Sequence, residues 1–567
     1  MKKKYVRWTL WTIASPFILF IILCILIYLP PIQNFLVDKA AVYASEATGM
    51  NISVGRISLS FPLNLVVTNV DAASPHNDTL LSVRRLQVNV QLLPLLKKQV
   101  EVDGISLQGA TVNSNDLIHG MKLNGTLGEL FISSHGVALD PETAIVNKVL
   151  LKDTDLSLCL NDTAAADTAA SDTAYWKIIL QDIDLQNVSF ALDMPLDSLS
   201  LAASLDNAIL RDELIDLHKS AYSLQTFRIE NGRVRYDNGK PLAADSLSSG
   251  LDPSHIALTD IGVKLDSLYY GGRNMKAIIS QFVLKERSGV EIVSATGRMV
   301  SNDKVLRVPS LKLETRDSYL ELNAAMDWNA LDFKGEGLMS ARLMADIGKP
   351  DVVRFMGSMD EKFIRQYPSE PLRIRTGIDG DLNKLKLTTL TAELPGALGL
   401  FARGELTHLT DSLLRGGDIT LEAETKDLKF VSTLAEGIEI PYGTRLEGKF
   451  TMAGAKMGTD LLLMQPEAQA VAAADTIPIT VYNDSISVAD DFKMERAARL
   501  FAKYDLSRDR YEADLAVNHF DLHQFMPADS LYTLSTRLKV EGEGFDFFSP
   551  RTYFNAEGGI DRFHYGS

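Results

Sequence analysis

His519 and His523, four residues apart, come nearest in this 567-residue chain to a metal-ligand spacing. A zinc site needs at least a third protein ligand. The flanking sequence alternates like a strand, which puts both rings on one face with no third ligand in view. Gly542-Glu543-Gly544 lacks the third glycine and the following helix of a dinucleotide site, so it is expected to be a turn. The chain has no phosphate-binding Gly-rich loop ending in Lys-Ser/Thr, no His-Glu-x-x-His, no nucleophile elbow and no paired cysteines. Its carboxylates are spread over turns and polar strand faces, where they serve solubility. The chain is expected not to be an enzyme and to carry no cofactor and no metal.

What must be positioned is therefore apolar surface, and the first such element is Trp8 to Pro31. It contains no charge, and roughly 20 apolar residues rising about 1.5 Å each cross a bilayer core of about 30 Å. A cleaved signal peptide would have a shorter apolar core and a small-residue cleavage site. Lys2, Lys3, Lys4 and Arg7 precede the span and the first charge after it is Asp38, so residues 1–7 are expected in the cytoplasm and the rest exported. Trp8, Trp11, Phe17, Phe20 and Tyr28 are the expected membrane anchors. Residues 32–49 follow as an amphipathic helix with Phe35, Leu36, Ala40, Tyr43 and Ala47 on one face, either lying on the membrane or capping the first strands.

From Met50 the apolar period becomes two: Ile52 and Val54, then Leu63, Leu65 and Val67, and after a turn at Ser74–Asp78, Val83, Leu86, Val88 and Val90. One phrase recurs at Val100–Val112, Leu150–Leu158, Ile178–Phe190 and Ile256–Asp266: apolar alternation, a small polar kink, renewed alternation. It reads as degenerate repetition of a β unit. The clearest strands lie later. Leu311 and Leu313, Leu320 and Leu322, Leu372 and Ile374, Leu385 and Leu387, and Ile419 and Leu421 each alternate with polar residues, giving one dry and one wet face. Helical interruptions are expected at 211–221, 352–367 and 489–504. The chain thus divides into 50–160 (first β region), 161–174 (a small, polar, flexible loop) and 175–567 (extended β region).

The net charge of −16, more negative still without the four cations ahead of the span, argues against a nucleic-acid partner. Cys24 lies in the span and Cys159 far beyond it, so no disulfide framework is expected and sheet hydrogen bonds with core packing must hold the exported body. With few helices and no clear domain boundaries, the dry faces of the strands favour a sheet curled into a trough lined by the ten residues just named. Contiguous exposed apolar patches beyond a few hundred Å² are rare. Acyl chains would fill this one, at about 0.8 kcal/mol per buried methylene and on the order of 10 kcal/mol gross per chain.

Ala47-Thr48-Gly49-Met50-Asn51-Ile52-Ser53-Val54-Gly55-Arg56-Ile57-Ser58-Leu59 and Leu92–Val112 resemble the N-terminal region of the AsmA-like superfamily, within it the TamB branch. Asp521-Leu522-His523-Gln524-Phe525-Met526-Pro527 resembles TamB-type proteins as well. The resemblance implies an inner-membrane anchor, a mainly β periplasmic body with an apolar groove, and phospholipid transport to the outer membrane of a Gram-negative bacterium. It equally implies an assembly factor that pairs a sheet edge with clients or with an outer-membrane barrel protein. It further implies a β region and C-terminal domain beyond Ser567, so the chain is expected to be a fragment. Finally, Asp-(Ser/Thr)-aliphatic at Thr163, Thr168 and Thr173 resembles the O-glycosylation acceptor motif of one Gram-negative phylum, while the same segment also reads as a plain linker.

Overall fold

The computed structural model describes residues 50–60, 64–74, 79–91, 102–114, 121–138, 143–161, 177–239, 250–331, 337–356, 360–434, 438–466, 479–482, 485–488, 494–527, 530–546, 549 and 552–566, with 39, 41, 42 and 45. Trp8–Pro31, the cations ahead of it, and Thr163, Thr168 and Thr173 lie outside the described residues. Among the described residues no helix is long and apolar enough to cross a membrane. The chain forms two compact units, Met1–Leu242 with Asp252–Arg287, and Ala243–Leu251 with Ser288–Ser567. Both are mainly β.

The first unit contains β1 (Asn51–Ser60), β2 (Asn64–Ala73), β3 (Thr79–Val90), β4 (Val102–Asn113), β5 (Met121–Ala138) and β6 (Thr143–Leu160). It continues with β7 (Lys177–Met194), β8 (Leu199–Asp216), β9 (Ala221–Leu224), β10 (Thr226–Asp237), β11 (His255–Gly271) and β12 (Asn274–Glu286). Neighbours pair antiparallel except β6 with β7, which run parallel from Thr143↔Lys177 to Cys159↔Asp193. An all-antiparallel sheet was the expectation. A parallel pair needs a connection that returns to the strand's starting end, which a hairpin cannot do, and 16 residues separate Leu160 from Lys177 in sequence. Ahead of β1, Lys39, Ala41, Val42 and Ser45 are helical, and the Ser45 hydroxyl accepts the Ile52 N–H at 3.0 Å, tying that helix to the first strand.

The recurring polar kink has a physical identity. In each of β1 to β8 one residue drops out of the ladder at the same level: Gly55, Asn69, Arg84, Gly109, Gly128, Asp153, Asn187 and Asp206. Asn69, Gly109, Asp153 and Asn187 have φ of 54°, 62°, 49° and 52°, the left-handed region that Gly and Asn or Asp tolerate best. The extra residue in every strand restores the phase of alternation. Val67 and Val70, Leu107 and Ala110, Leu151 and Thr154, and Leu185 and Val188 are each three apart, yet occupy successive rows of one face. The sheet is thereby creased along a line across its strands. The Asn187 amide donates to Asp153 Oδ1 at 2.9 Å along that line.

The second unit runs β13 (Glu291–Ser301), β14 (Val305–Thr315), β15 (Tyr319–Asp327), β16 (Met339–Ile347), α1 (Lys349–Met356), α2 (Glu361–Gln366), β17 (Leu372–Gly380) and β18 (Lys384–Leu394). Then come β19 (Leu398–Thr407), β20 (Gly416–Thr425), α3 (Lys429–Ser432), β21 (Arg445–Ala453) and β22 (Lys456–Pro466). It ends with β23 (Ile479–Tyr482), β24 (Ser485–Val488), β25 (Met494–Asp505), β26 (Arg510–Asp521), β27 (Leu531–Glu543) and β28 (Tyr553–Tyr565). All its pairs are antiparallel; β22 pairs with β25, and β23–β24 is a separate hairpin that lies against β19 and β20.

Helices cap one end of the middle strands. Phe363, Tyr367, Leu394, Ala397, Leu428 and Phe430 form a dry cluster, with Phe430 edge-on to Phe363 and Tyr367 at 5.6 and 5.2 Å between ring centroids. Buried Asp351 on α1 accepts from Thr315, from Ser318 at 2.6 Å and from Arg354 at 2.9 Å. Burial opposes its ionisation, but these hydrogen bonds outweigh it and hold the carboxyl below the usual aspartate range.

Two expected helices are strands. Arg211–Asp216 finishes β8 and Ala221 opens β9, while 494–504 belongs to β25. The helix expected over 352–367 is present as two, α1 and α2.

Asn187→Val forces a β-branched residue into the left-handed region and is expected to cost about 1–2 kcal/mol, whereas Asn187→Gly should cost only a few tenths. Urea unfolding of the two variants reads the difference, and equal midpoints would remove the crease as a conformational requirement.

Candidate functional site

Residues paired across a ladder share a face, so register fixes which side chains lie together. In the second unit one row runs Ala295, Leu313, Leu320, Ala345, Ile374, Ala392, Leu400, Ala423, Leu446, Leu463, Ala498, Val517, Thr536 and Ile560. A second, two residues along, includes Leu311, Leu322, Leu343, Leu390, Leu421, Leu461, Leu500, Leu515 and Leu538. Gly448 lies in that row; a Cβ there would sit 3.0 Å from Leu461 Cδ2, so glycine leaves room for the neighbouring leucine. A third joins Ile378, Leu387, Gly404, Ile419 and Phe450, and a fourth Leu385, Leu406, Met452 and Met457. At about 4.8 Å per strand and about 3.4 Å per residue, these rows make a face about 60 Å by 20 Å.

All ten residues named from the sequence lie on this face. Leu311, Leu313, Leu320, Leu322, Ile374, Leu385, Leu387, Ile419 and Leu421 belong to the four rows. Leu372 shares the face but packs against the helix-capped cluster, at the end of the sheet. The face is only half covered. Most of its large side chains are partly exposed, and Phe450, Met457 and Ile560 are 42%, 44% and 67% exposed.

The opposite face is polar. It carries Lys312, Glu321, Arg375, Glu422, Glu447 and Arg499, with ion pairs such as Arg375–Asp346 at 2.7 Å and Arg499–Asp460 at 2.6 Å. A hollow of about 500 Å³ on that side is lined by Thr420, Lys449, Asp460, Arg496 and Arg499 among others. Within it Arg499 pairs with Asp460, while Glu422 and Glu447 pair with Arg445 and Lys449 with Asp418 outside it. Of the ten named residues only Leu421 is among those that line it.

The first unit repeats the division. Ile57, Val67, Leu86, Leu107, Leu130, Leu151, Leu185, Ala208, Ile229, Val263 and Phe282 form one row across the sheet. One of its other rows contains an acid that sequence reading missed. Val146 pairs with Leu180 and Leu180 with Glu213, so Glu213 stands where the two adjacent strands carry aliphatic residues. It is 7% exposed, and its Oε1 has no hydrogen-bond partner. Burial pushes the carboxyl up to about 7, against a smaller downward pull from Arg211 and an upward push from Asp212. Arg211 is engaged elsewhere, with Asp182 and with Asp184 at 3.2 Å. The sequence signal was Asp212, whose φ of 54° shifts the phase so that residue 213 faces the apolar side.

His519 and His523 are not brought together as ligands. His519 sits at a bulge with φ 46° and receives a hydrogen bond from Arg562 at 3.0 Å, while His523 lies in the turn after β26 and stacks on Tyr532 at 4.5 Å. Gly544, with φ 76°, makes a turn at the end of β27 and donates its N–H to Asp509. Cys159 is a free thiol in β6. Neither a protein-family model nor a curated protein matches the chain.

Glu213 gives stability a pH dependence of known sign. Between its ordinary value of 4.5 and about 7 the folded chain keeps a proton that the unfolded chain releases, so stability falls as pH rises through that window. Glu213→Gln is expected to remove up to about 3 kcal/mol of the loss that the wild type suffers between pH 5 and pH 8. Urea unfolding at the two pH values measures it, and identical pH dependence in both proteins would contradict the assignment.

Proposed function

We propose that this chain is an inner-membrane-anchored, periplasmic protein of the AsmA-like superfamily, TamB branch, that moves phospholipid between the inner and outer membranes along an apolar β groove and so supports outer-membrane biogenesis. One observation carries the reading: each unit keeps a predominantly apolar face over many strands, and in the second unit that face stays half exposed. Apolar surface of that extent left to water is unfavourable, and acyl chains are the ligand whose chemistry matches it. Leucine, isoleucine and valine offer no directional bonds, so a chain can be held yet slide. The Trp8–Pro31 span would act as tether, with lipid entering beside residues 32–49, and no catalytic group, cofactor or nucleic acid is required.

The second reading, assembly of outer-membrane or secreted proteins with an outer-membrane barrel partner, is favoured by the sheet edge at β1, which pairs only with β2 among the described strands and leaves six of its ten residues exposed. An edge of that length is a template for strand addition.

Leu313→Glu and Ile374→Glu place a charge on the dry face. Delipidated full-length protein re-exposed to membrane extract is expected to regain phospholipid by native mass spectrometry, and each variant to regain about tenfold less while keeping its circular dichroism spectrum. Failure of the wild type to take up lipid would sink the groove. Proline substitutions along β1 that abolish function while lipid uptake survives would favour the assembly reading.

A further inference from the structure

We propose that Glu213 is a headgroup-recognition point on the apolar face of the first unit, selecting lipids that carry a primary ammonium. The inference rests on the lipid-carrying reading above and deepens it. Its geometry is that of a polar group delivered on purpose into an apolar row. Strands β6, β7 and β8 share a second crease, where Asn147, Gln181 and Asp212 drop out of the ladder and Asn147 donates to Gln181 at 3.0 Å. Beyond that crease the next position on the face is Val146 in β6 and Leu180 in β7, but Glu213 in β8. The following row returns to aliphatic and aromatic side chains, Ile178, Ile215 and Tyr222.

Packing alone would be served by a third aliphatic residue here. An acid is costly: Glu213 is more than nine-tenths buried, one of its carboxyl oxygens has no partner, and the Arg211 guanidinium is committed to Asp182 and Asp184. Asp212 adds left-handed backbone at a non-glycine residue. Costs of this kind collect where a ligand recovers them. A buried carboxylate gains most from a cation that also donates hydrogen bonds. On a face that otherwise binds acyl chains, the matching ligand is an amphiphile with an ammonium headgroup. An anionic or hydroxyl-only headgroup brings no positive charge to the acid.

The test uses the full-length protein, delipidated in detergent and equilibrated with mixed vesicles of equal phosphatidylethanolamine and phosphatidylglycerol, with bound lipid read by native mass spectrometry. The wild type is expected to hold the ethanolamine lipid in about tenfold excess. Glu213→Gln, matched in shape, and Glu213→Leu, matched to the adjacent Leu180, should bind as much lipid in total with the two headgroups near parity. Wild type that binds both lipids equally overturns the headgroup assignment and leaves the groove standing. Wild type that binds neither overturns both. Variants that keep the preference, or lose all lipid together with it, show Glu213 to be no selector and overturn the proposal.

Discussion

The whole structure depends on keeping side-chain phase across strands that are not straight. A strand places alternate residues on opposite faces, so any bend that inserts one residue would turn the rest of the strand inside out. Here the inserted residue occurs in every strand of β1 to β8 at one level, and the inversion is cancelled because the apolar residues flanking it are spaced by three. The price is one row without ladder pairing, placed where Asn, Asp and Gly accept the left-handed backbone. Because the skip is shared, no strand is out of register with its neighbour, and the apolar face passes through the bend intact.

Each unit is held together chiefly along the hydrogen-bonding direction. Fully buried apolar side chains are few among the described residues, and many are alanines; the Phe363–Tyr367–Phe430 cluster under the helices is the main dry core of the second unit. The two faces therefore differ in kind. One is stitched by exposed ion pairs, each contributing little; the other carries no ion pair among the described residues, and its aliphatic side chains shelter one another only in part.

Strand identity was legible wherever alternation was clean, as at Leu311–Thr315, Tyr319–Asn323 or Ile419–Ala423, because nothing there competes with period two. It was illegible at 211–216, where the left-handed Asp212 spaces Leu210, Leu214 and Ile215 like a helical face, and at 494–504, where Glu, Arg, Ala and Lys favour helix locally but pairing with β22 and β26 prevails. The recurring polar kink was visible as a phrase, but its meaning as an aligned bulge needed the register of neighbouring strands. Glu213 was hidden for the same reason: its face depends on a bulge one residue earlier. Leu372 was read onto the right face, but the cluster it packs against also draws on Leu394, Leu428 and Phe430 from separate elements, which alternation along one strand does not bring together.

The parallel seam between β6 and β7 bears on how the first unit forms. The ladder from β1 to β6 is built of consecutive antiparallel neighbours that can zip from local turns, whereas Thr143 meets Lys177, 34 positions later, only after a long loop has closed. Loop-closure entropy must be lost before that pair returns any hydrogen bonding. Two locally assembled half-ladders, one ending at β6 and one nucleated around β7 and β8, would then meet at a single late joint. The seam is thus the one pairing among the described strands of the first unit that runs parallel and that no hairpin turn can start.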